Sequence, residues 1–278
     1  MGEFLVCGFW FEFLLHTFSS KAGDKNSNQN QKLETRNNSE KPETFPIMPT
    51  DDLLAVVGRA DELYHQRAEP GSVRESVMVL SGAHGGTGRY EVQWRLARAL
   101  FFLGQEAGAP DSSRQLYAAG IGAGERAVEL NETRVEGHFW VGVNLALFAE
   151  ARGGIRGLKA IRSARVELKR AIEIDERYHD AGPLRVLGRL NHKAPRILGG
   201  NRNRSRQLFE RALAIAPSNS VTLIYAAELA IANGELDRAS ELLQKLIDAP
   251  IDSEWAFEYN RDRALARSLL ERISTEVA

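Results

Sequence analysis

The sequence predicts an all-α protein, an array of antiparallel helix pairs with about eleven helices. Three observations carry that prediction. The stretch Gln207-Leu208-Phe209-Glu210-Arg211-Ala212-Leu213-Ala214-Ile215-Ala216-Pro217 recurs in degenerate form around Ala127, Ala171 and Leu246, at intervals of 44, 41 and 34 residues. Such periods mark arrays whose units bury their apolar faces only against neighbours. Helix-period apolar patterns alternate with Gly, Pro and Asn breaks, and no run alternates with period two long enough to make a strand.

The predicted helices are 51–67, 72–81, 89–106, 112–130, 133–151, 155–174, 181–193, 202–215, 219–232, 236–247 and 255–274. Thr50-Asp51-Asp52 supplies an N-cap and an acidic first turn for the first, whose stripe is Leu53, Leu54, Val57 and Ala60. Trp94, Ala97, Leu100 and Phe101 form the stripe of the third. Gly85-Gly86, Gly153-Gly154, Gly199-Gly200 and Asn233-Gly234 separate later elements, where left-handed backbone is cheapest for Gly or Asn. Pro217 and Pro250 follow helix ends because proline cannot continue a helix.

Ahead of the helices, residues 1–20 hold an apolar, export- or anchor-like block (Phe4 to Phe18), and 21–50 read as a polar disordered linker. The helical-repeat domain is expected over 51–278. The block holds Glu12 and His16 and is shorter than the roughly 20 residues a span needs. An export segment places the protein in the cell envelope or periplasm, with membrane attachment through residues 4–18. Translation from Met48 would instead leave it cytoplasmic.

The net charge of −1 conceals an uneven distribution: 16 Lys/Arg face 6 Asp/Glu between Arg152 and Arg211, against 20 and 31 elsewhere. A basic middle on an acidic frame suits solvated helix faces, an anionic ligand, an acidic partner or a lipid surface. No aromatic residues alternate with these charges at a nucleic-acid-binding spacing, so no nucleic acid is expected. The single Cys7 excludes an internal disulfide framework and a cysteine metal cage.

Leu184, Leu187, Gly188 and Asn191, followed by Ser205, Phe209, Ala212 and Pro217, resemble the two helices of a tetratricopeptide repeat. The next unit reads Leu223, Ala226, Ala227 and Ala230, then Ala239, Leu243 and Leu246 before Pro250, and Phe209 to Leu243 is the family's 34-residue period. Trp94 and Trp140 take the large first-helix slot in earlier units. The array departs from the pattern at Arg98 and Asn144, where glycine is usual, and at Asn191, where an aromatic is. Two subfamilies come closer. Leu187-Gly188-Arg189-Leu190, Ala194-Pro195-Arg196-Ile197-Leu198-Gly199-Gly200-Asn201, Ser205 and Phe209 to Leu213 resemble the T component of tripartite ATP-independent periplasmic (TRAP) transporters. That resemblance implies a helical envelope protein, often lipid-anchored, that partners a periplasmic solute-binding protein and holds a ligand in a central pore. Cys7 lacks the surroundings of a lipoprotein acceptor. Glu91 to Ala99 is similar to the regulator-of-microtubule-dynamics family.

No histidine has a second His or Cys at helical spacing, Gly82 to Arg89 lacks the ending of a phosphate-binding loop, and no Gly-x-Ser-x-Gly elbow occurs. A non-enzyme without cofactor or metal is expected. First helices of such repeats line the concave face, which makes Trp94, Arg95, Arg98, His138, Trp140, Asn144, Arg185, Arg189, Asn191 and Arg196 the candidate ligand or partner residues. The arginines suit a carboxylate or phosphate. Trp94 and Trp140 also suit packing anchors, His138 a satisfied interior histidine, and Arg185 and Arg189 ion pairs with neighbouring helices. Two functions follow: a scaffold binding a protein or peptide in an open groove, or a transporter accessory holding a small ligand in an enclosed channel. Self-association stays open in both.

Overall fold

The computed structural model describes residues 53–83, 85–251 and 253–277. The predicted apolar block, the linker and the cap at Thr50-Asp51-Asp52 lie outside them. Eleven α-helices are described, and among the described residues there is no strand. They are α1 (Leu53–His65), α2 (Ser72–Ser81), α3 (Tyr90–Glu106), α4 (Pro110–Leu130), α5 (Val135–Arg152), α6 (Gly154–Asp175), α7 (Tyr178–Lys193), α8 (Arg202–Ile215), α9 (Ser220–Ala232), α10 (Leu236–Asp248) and α11 (Ala256–Val277). Short 3-10 turns at Gly86–Gly88, Arg196–Leu198 and Ser253–Trp255 were not foreseen by the periodicity. Three residues give too little pattern to read.

Odd-numbered helices pair with the even-numbered helix that follows, and successive odd helices pack on one another: α3 on α5, α5 on α7, α7 on α9 and α9 on α11. This is the two-row arrangement of a helical repeat. Small residues set the closeness of the rows. Gly188 on α7 lies against the Phe209 ring of α8, and a Cβ there would stand 2.6 Å from a ring carbon. The repeat's paired glycine and aromatic are therefore one packing unit. The departure at Asn144 is compensated across the interface: an ideal Cβ on Gly120 of α4 would come within 2.4 Å of the Asn144 amide oxygen. The space that glycine normally leaves on one helix is supplied here by its partner.

The two ends of the inner row meet. Arg67, just after α1, donates two hydrogen bonds to the Glu258 carboxylate of α11 at 2.9 and 2.8 Å, and both side chains are buried. Arg67 also donates to the carbonyls of Tyr64 and Glu254 and stacks on the Tyr64 ring. This clasp closes the odd-numbered row around a cavity.

α7 opens irregularly. His179, Asp180 and Ala181 all have left-handed backbone (φ 54°, 54° and 60°), and a regular helix follows through Pro183. Left-handed backbone costs a non-glycine residue about 1–2 kcal/mol. Three in succession persist only when the surroundings over-determine them. Here the Arg185 guanidinium binds the Asp180 carbonyl at 2.9 Å and the His179 carbonyl at 3.4 Å. The His179 ring, meanwhile, is held among Phe139, Trp140 and Trp255, with centroids 5.4, 5.3 and 4.8 Å away.

Candidate functional site

The inner row lines a cavity of about 260 Å³ that is partly open to solvent at the rim formed by Glu150 and Phe257. Phe101 and Phe102 of α3, Trp140 and Val143 of α5, and Tyr225 of α9 contribute to its apolar wall. Trp255, Phe257 and Glu258 close it from the C-terminal side. Its polar groups are few and come mainly from α5, α7 and α11: Glu150, His179, Arg185, Arg189, Glu258 and Arg261. An apolar enclosure with a small set of converging polar groups is the usual form of a small-molecule site.

Arg185 is the distinctive group. Its side chain is 4% exposed, and its partners are the carbonyls of His179 and Asp180 and the amide oxygen of Asn219 at 3.3 Å. Among the described residues no carboxylate lies within ion-pair distance of it. Burial lowers the pKa of this guanidinium. One turn on, Arg189 pairs with Glu228 and lies over the Tyr225 ring at 4.3 Å, so its charge is already balanced. A buried cation held only by neutral acceptors is costly unless an anion arrives.

Glu150 stands at the cavity rim, exposed to solvent, and makes no hydrogen bond among the described residues. Partial desolvation pushes its pKa upward against the pull of Arg189 and Lys193, and solvent at the rim screens that push. His179 is pushed far down by burial and by Arg185, so it stays neutral. The wall therefore carries one buried guanidinium with no carboxylate in direct contact, the charges of Asp180, Asp262 and Glu258 acting on it from a distance.

The sequence candidates separate into three groups. Trp140, Arg185 and Arg189 line the cavity. The Trp140 indole donates to the Tyr178 hydroxyl at 3.2 Å, fixing the ring. Trp94, Arg95 and Arg98 form a second cluster on α3, outside the lining. Arg95 makes a bidentate pair with Asp61 at 2.9 and 2.7 Å, Arg98 joins the same carboxylate at 2.7 Å, and the Trp94 indole donates to Glu91 at 2.8 Å. These bonds tie α3 to α1. The remaining four also lie outside the lining. His138 meets Glu167 at 2.7 Å and the Glu132 carbonyl at 2.9 Å, and the Glu167 hydrogen bond raises its pKa. Asn144 donates to the carbonyls of Ala97 and Trp140, Asn191 donates to the Leu187 carbonyl, and Arg196 is exposed on the α7–α8 connection.

Sequence reasoning did not single out His179, Glu150, Trp255 or the Arg67–Glu258 clasp. The clasp joins residues 191 positions apart and has no local signature. The Asp-Ala-Gly-Pro run after His179 was the one available sign of an irregular helix start.

The family profile of TRAP transporter T-components matches residues 97–273, more than half of the chain. The chain belongs to that family. Among solved structures it is similar to TTC0263, a thermophilic tetratricopeptide-repeat protein of Thermus thermophilus. That likeness has 20% identity and a TM-score of 0.57, covering 75% of this chain and 97% of that one. Weaker likenesses are to Pseudomonas aeruginosa PilF (13% identity, 79% and 92% covered, TM-score 0.49) and MamA (15%, 76% and 96%, TM-score 0.43). The first supports the tetratricopeptide-like fold. No curated protein matches the sequence.

Proposed function

We propose that this T-component family member is a non-catalytic accessory protein that holds a small ligand with an apolar body and one anionic end inside the cavity. The observation that carries the reading is Arg185: a buried guanidinium with neutral partners, set in an aromatic enclosure of about 260 Å³. The ligand's anion binds Arg185, and its body lies against Trp140, Phe101 and Phe102. The closed row favours this reading over a peptide lying in an open groove. The helical domain, 51–278, acts in the envelope, with a periplasmic solute-binding protein as partner. Phe257, exposed on the cavity rim, suits contact with that partner.

Native mass spectrometry of the purified chain, read beside calorimetric titration with octanoate, tests the proposal. The expected result is a retained or titratable ligand in the wild type and at least a tenfold loss of affinity in Arg185→Met, with the helical circular dichroism unchanged. Equal affinity in the variant rejects the role of Arg185. A wild type that carries no ligand and takes up no octanoate rejects the cavity as this kind of site.

A further inference from the structure

We propose that the outer face formed by α6, the α7–α8 connection and the start of α8 docks onto an anionic lipid bilayer. The surface lies on the opposite row of helices from the cavity, and its residues play no part in ligand holding.

The sequence places a cationic stripe on α6. Lys159, Arg162, Arg165 and Lys169 fall within one arc of the helix, since steps of three and four residues return to the same face. The structure adds two cations from elsewhere. The Arg165 guanidinium donates to the Leu198 carbonyl at 2.7 Å, which seats the α7–α8 connection, and with it Arg196, against the stripe. Arg204 of α8 is close enough that its charge, after burial, helps lower the Arg165 pKa, and it shares a shallow groove with Lys169. None of these six cations has an ion-pair partner among the described residues. By contrast, the neighbouring Arg170, Arg206 and Arg211, and Arg238, are each matched to a glutamate. Arg165 has two further guanidinium nitrogens, Nε and Nη2, with no hydrogen-bond partner.

Two aliphatic side chains project from the same face. Ile197, on the α7–α8 connection, is 92% exposed, and Val166, between Arg162 and Lys169 on the stripe, is 64% exposed. The connection that presents Ile197 is held by backbone bonds from Gly199 to Arg196 and from Gly200 to Pro195, besides the Arg165 contact. Unpaired cations around isolated, rigidly presented aliphatic tips match the lipid interface: headgroups take the charges and the tips enter the acyl boundary. An acidic helix is the poorer fit. The two tips stand on separate elements, Val166 on α6 and Ile197 on the α7–α8 connection, and form no continuous apolar stripe for a helix to lie along.

The test is sedimentation of the full chain with neutral phosphatidylcholine vesicles and with vesicles one-third phosphatidylglycerol. The wild type is expected to favour the anionic vesicles and to lose that preference in high salt. Arg162→Gln/Lys169→Gln/Arg204→Gln should cut binding to anionic vesicles about a hundredfold, from roughly fivefold per cation near an anionic surface, and leave binding to neutral vesicles unchanged. That last comparison removes any contribution from the rest of the chain. Ile197→Ser should weaken binding several-fold while keeping the salt dependence. All four positions are exposed, so an unchanged thermal melt confirms folding. A wild type with no preference for anionic vesicles overturns the proposal and leaves an acidic protein as the surface's partner. A triple variant that binds like the wild type overturns it as well.

Discussion

The regular end of the molecule and its stretched middle use the same repeat differently. From α8 to α11 the core cluster is aliphatic. Ala212, Leu223, Ala227, Ala239, Leu243, Leu246 and Ala266 are all fully buried, charged pairs such as Arg238–Glu210 stay at the surface, and the buried carboxylates are Glu258 and Asp262 of α11. From α3 to α7 the interior also holds His138, Asn144, Arg185, Arg189 and Asn191, together with an aromatic cage and three left-handed residues. Packing explains the aliphatic cluster of the first region. The second buries polar groups that an efficient core would avoid, which points to a requirement other than stability. Where the sequence keeps its period it is building a support; where it loses the period it is building an enclosure.

The largest effect is expected where the regular end is clasped to the turn after α1. Replacing Arg67 with Met leaves the Glu258 carboxylate buried without its cation, which costs about 3–5 kcal/mol. Urea unfolding should show that loss, and ligand retention should fall with it, because Glu258 is part of the cavity wall. A variant that keeps wild-type stability would mean the ends are held by packing alone. Leu243→Ala belongs wholly to the regular end. It removes a fully buried side chain from the α9–α11 core at about 2–5 kcal/mol. In conditions where it remains folded, its ligand affinity should equal the wild type's. Altered affinity would break the division between support and site.

The same division sets what the sequence discloses. The eleven helices were readable because amphipathic period, glycine breaks and trailing prolines are local signals, and their ends fall within three residues of the expected positions wherever the structure describes them. Arg185 and Trp140 were readable as inward positions of first helices. Their separation from Asn144 and Asn191 was not, since all four share the helix period. Only the neighbouring elements decide which position meets a cavity and which meets a carbonyl. The Asn144 amide finds the Ala97 carbonyl on α3, and Gly120 of α4 makes room for it. Glu150 shows the same limit. One carboxylate among many in the sequence, it is brought to the cavity rim only by the packing of α5 against its neighbours.

The smallest expected effect probes the irregular start of α7. Ala181 is fully buried at φ 60°, where glycine would be unstrained. Ala181→Gly relieves about 1–2 kcal/mol of backbone strain, loses about 0.4–1 kcal/mol to the greater freedom of the unfolded chain and loses about 0.8 kcal/mol with the buried methyl. The three nearly cancel, so urea unfolding should show a stability within about 1 kcal/mol of the wild type. If the left-handed turn exists to hold the His179 and Asp180 carbonyls against Arg185, relaxing its third residue lets those carbonyls shift. Calorimetry should then show weaker octanoate binding in a protein of nearly unchanged stability. Unchanged affinity would assign the strain to the aromatic cage around His179 and leave Arg185 positioned by α7 alone.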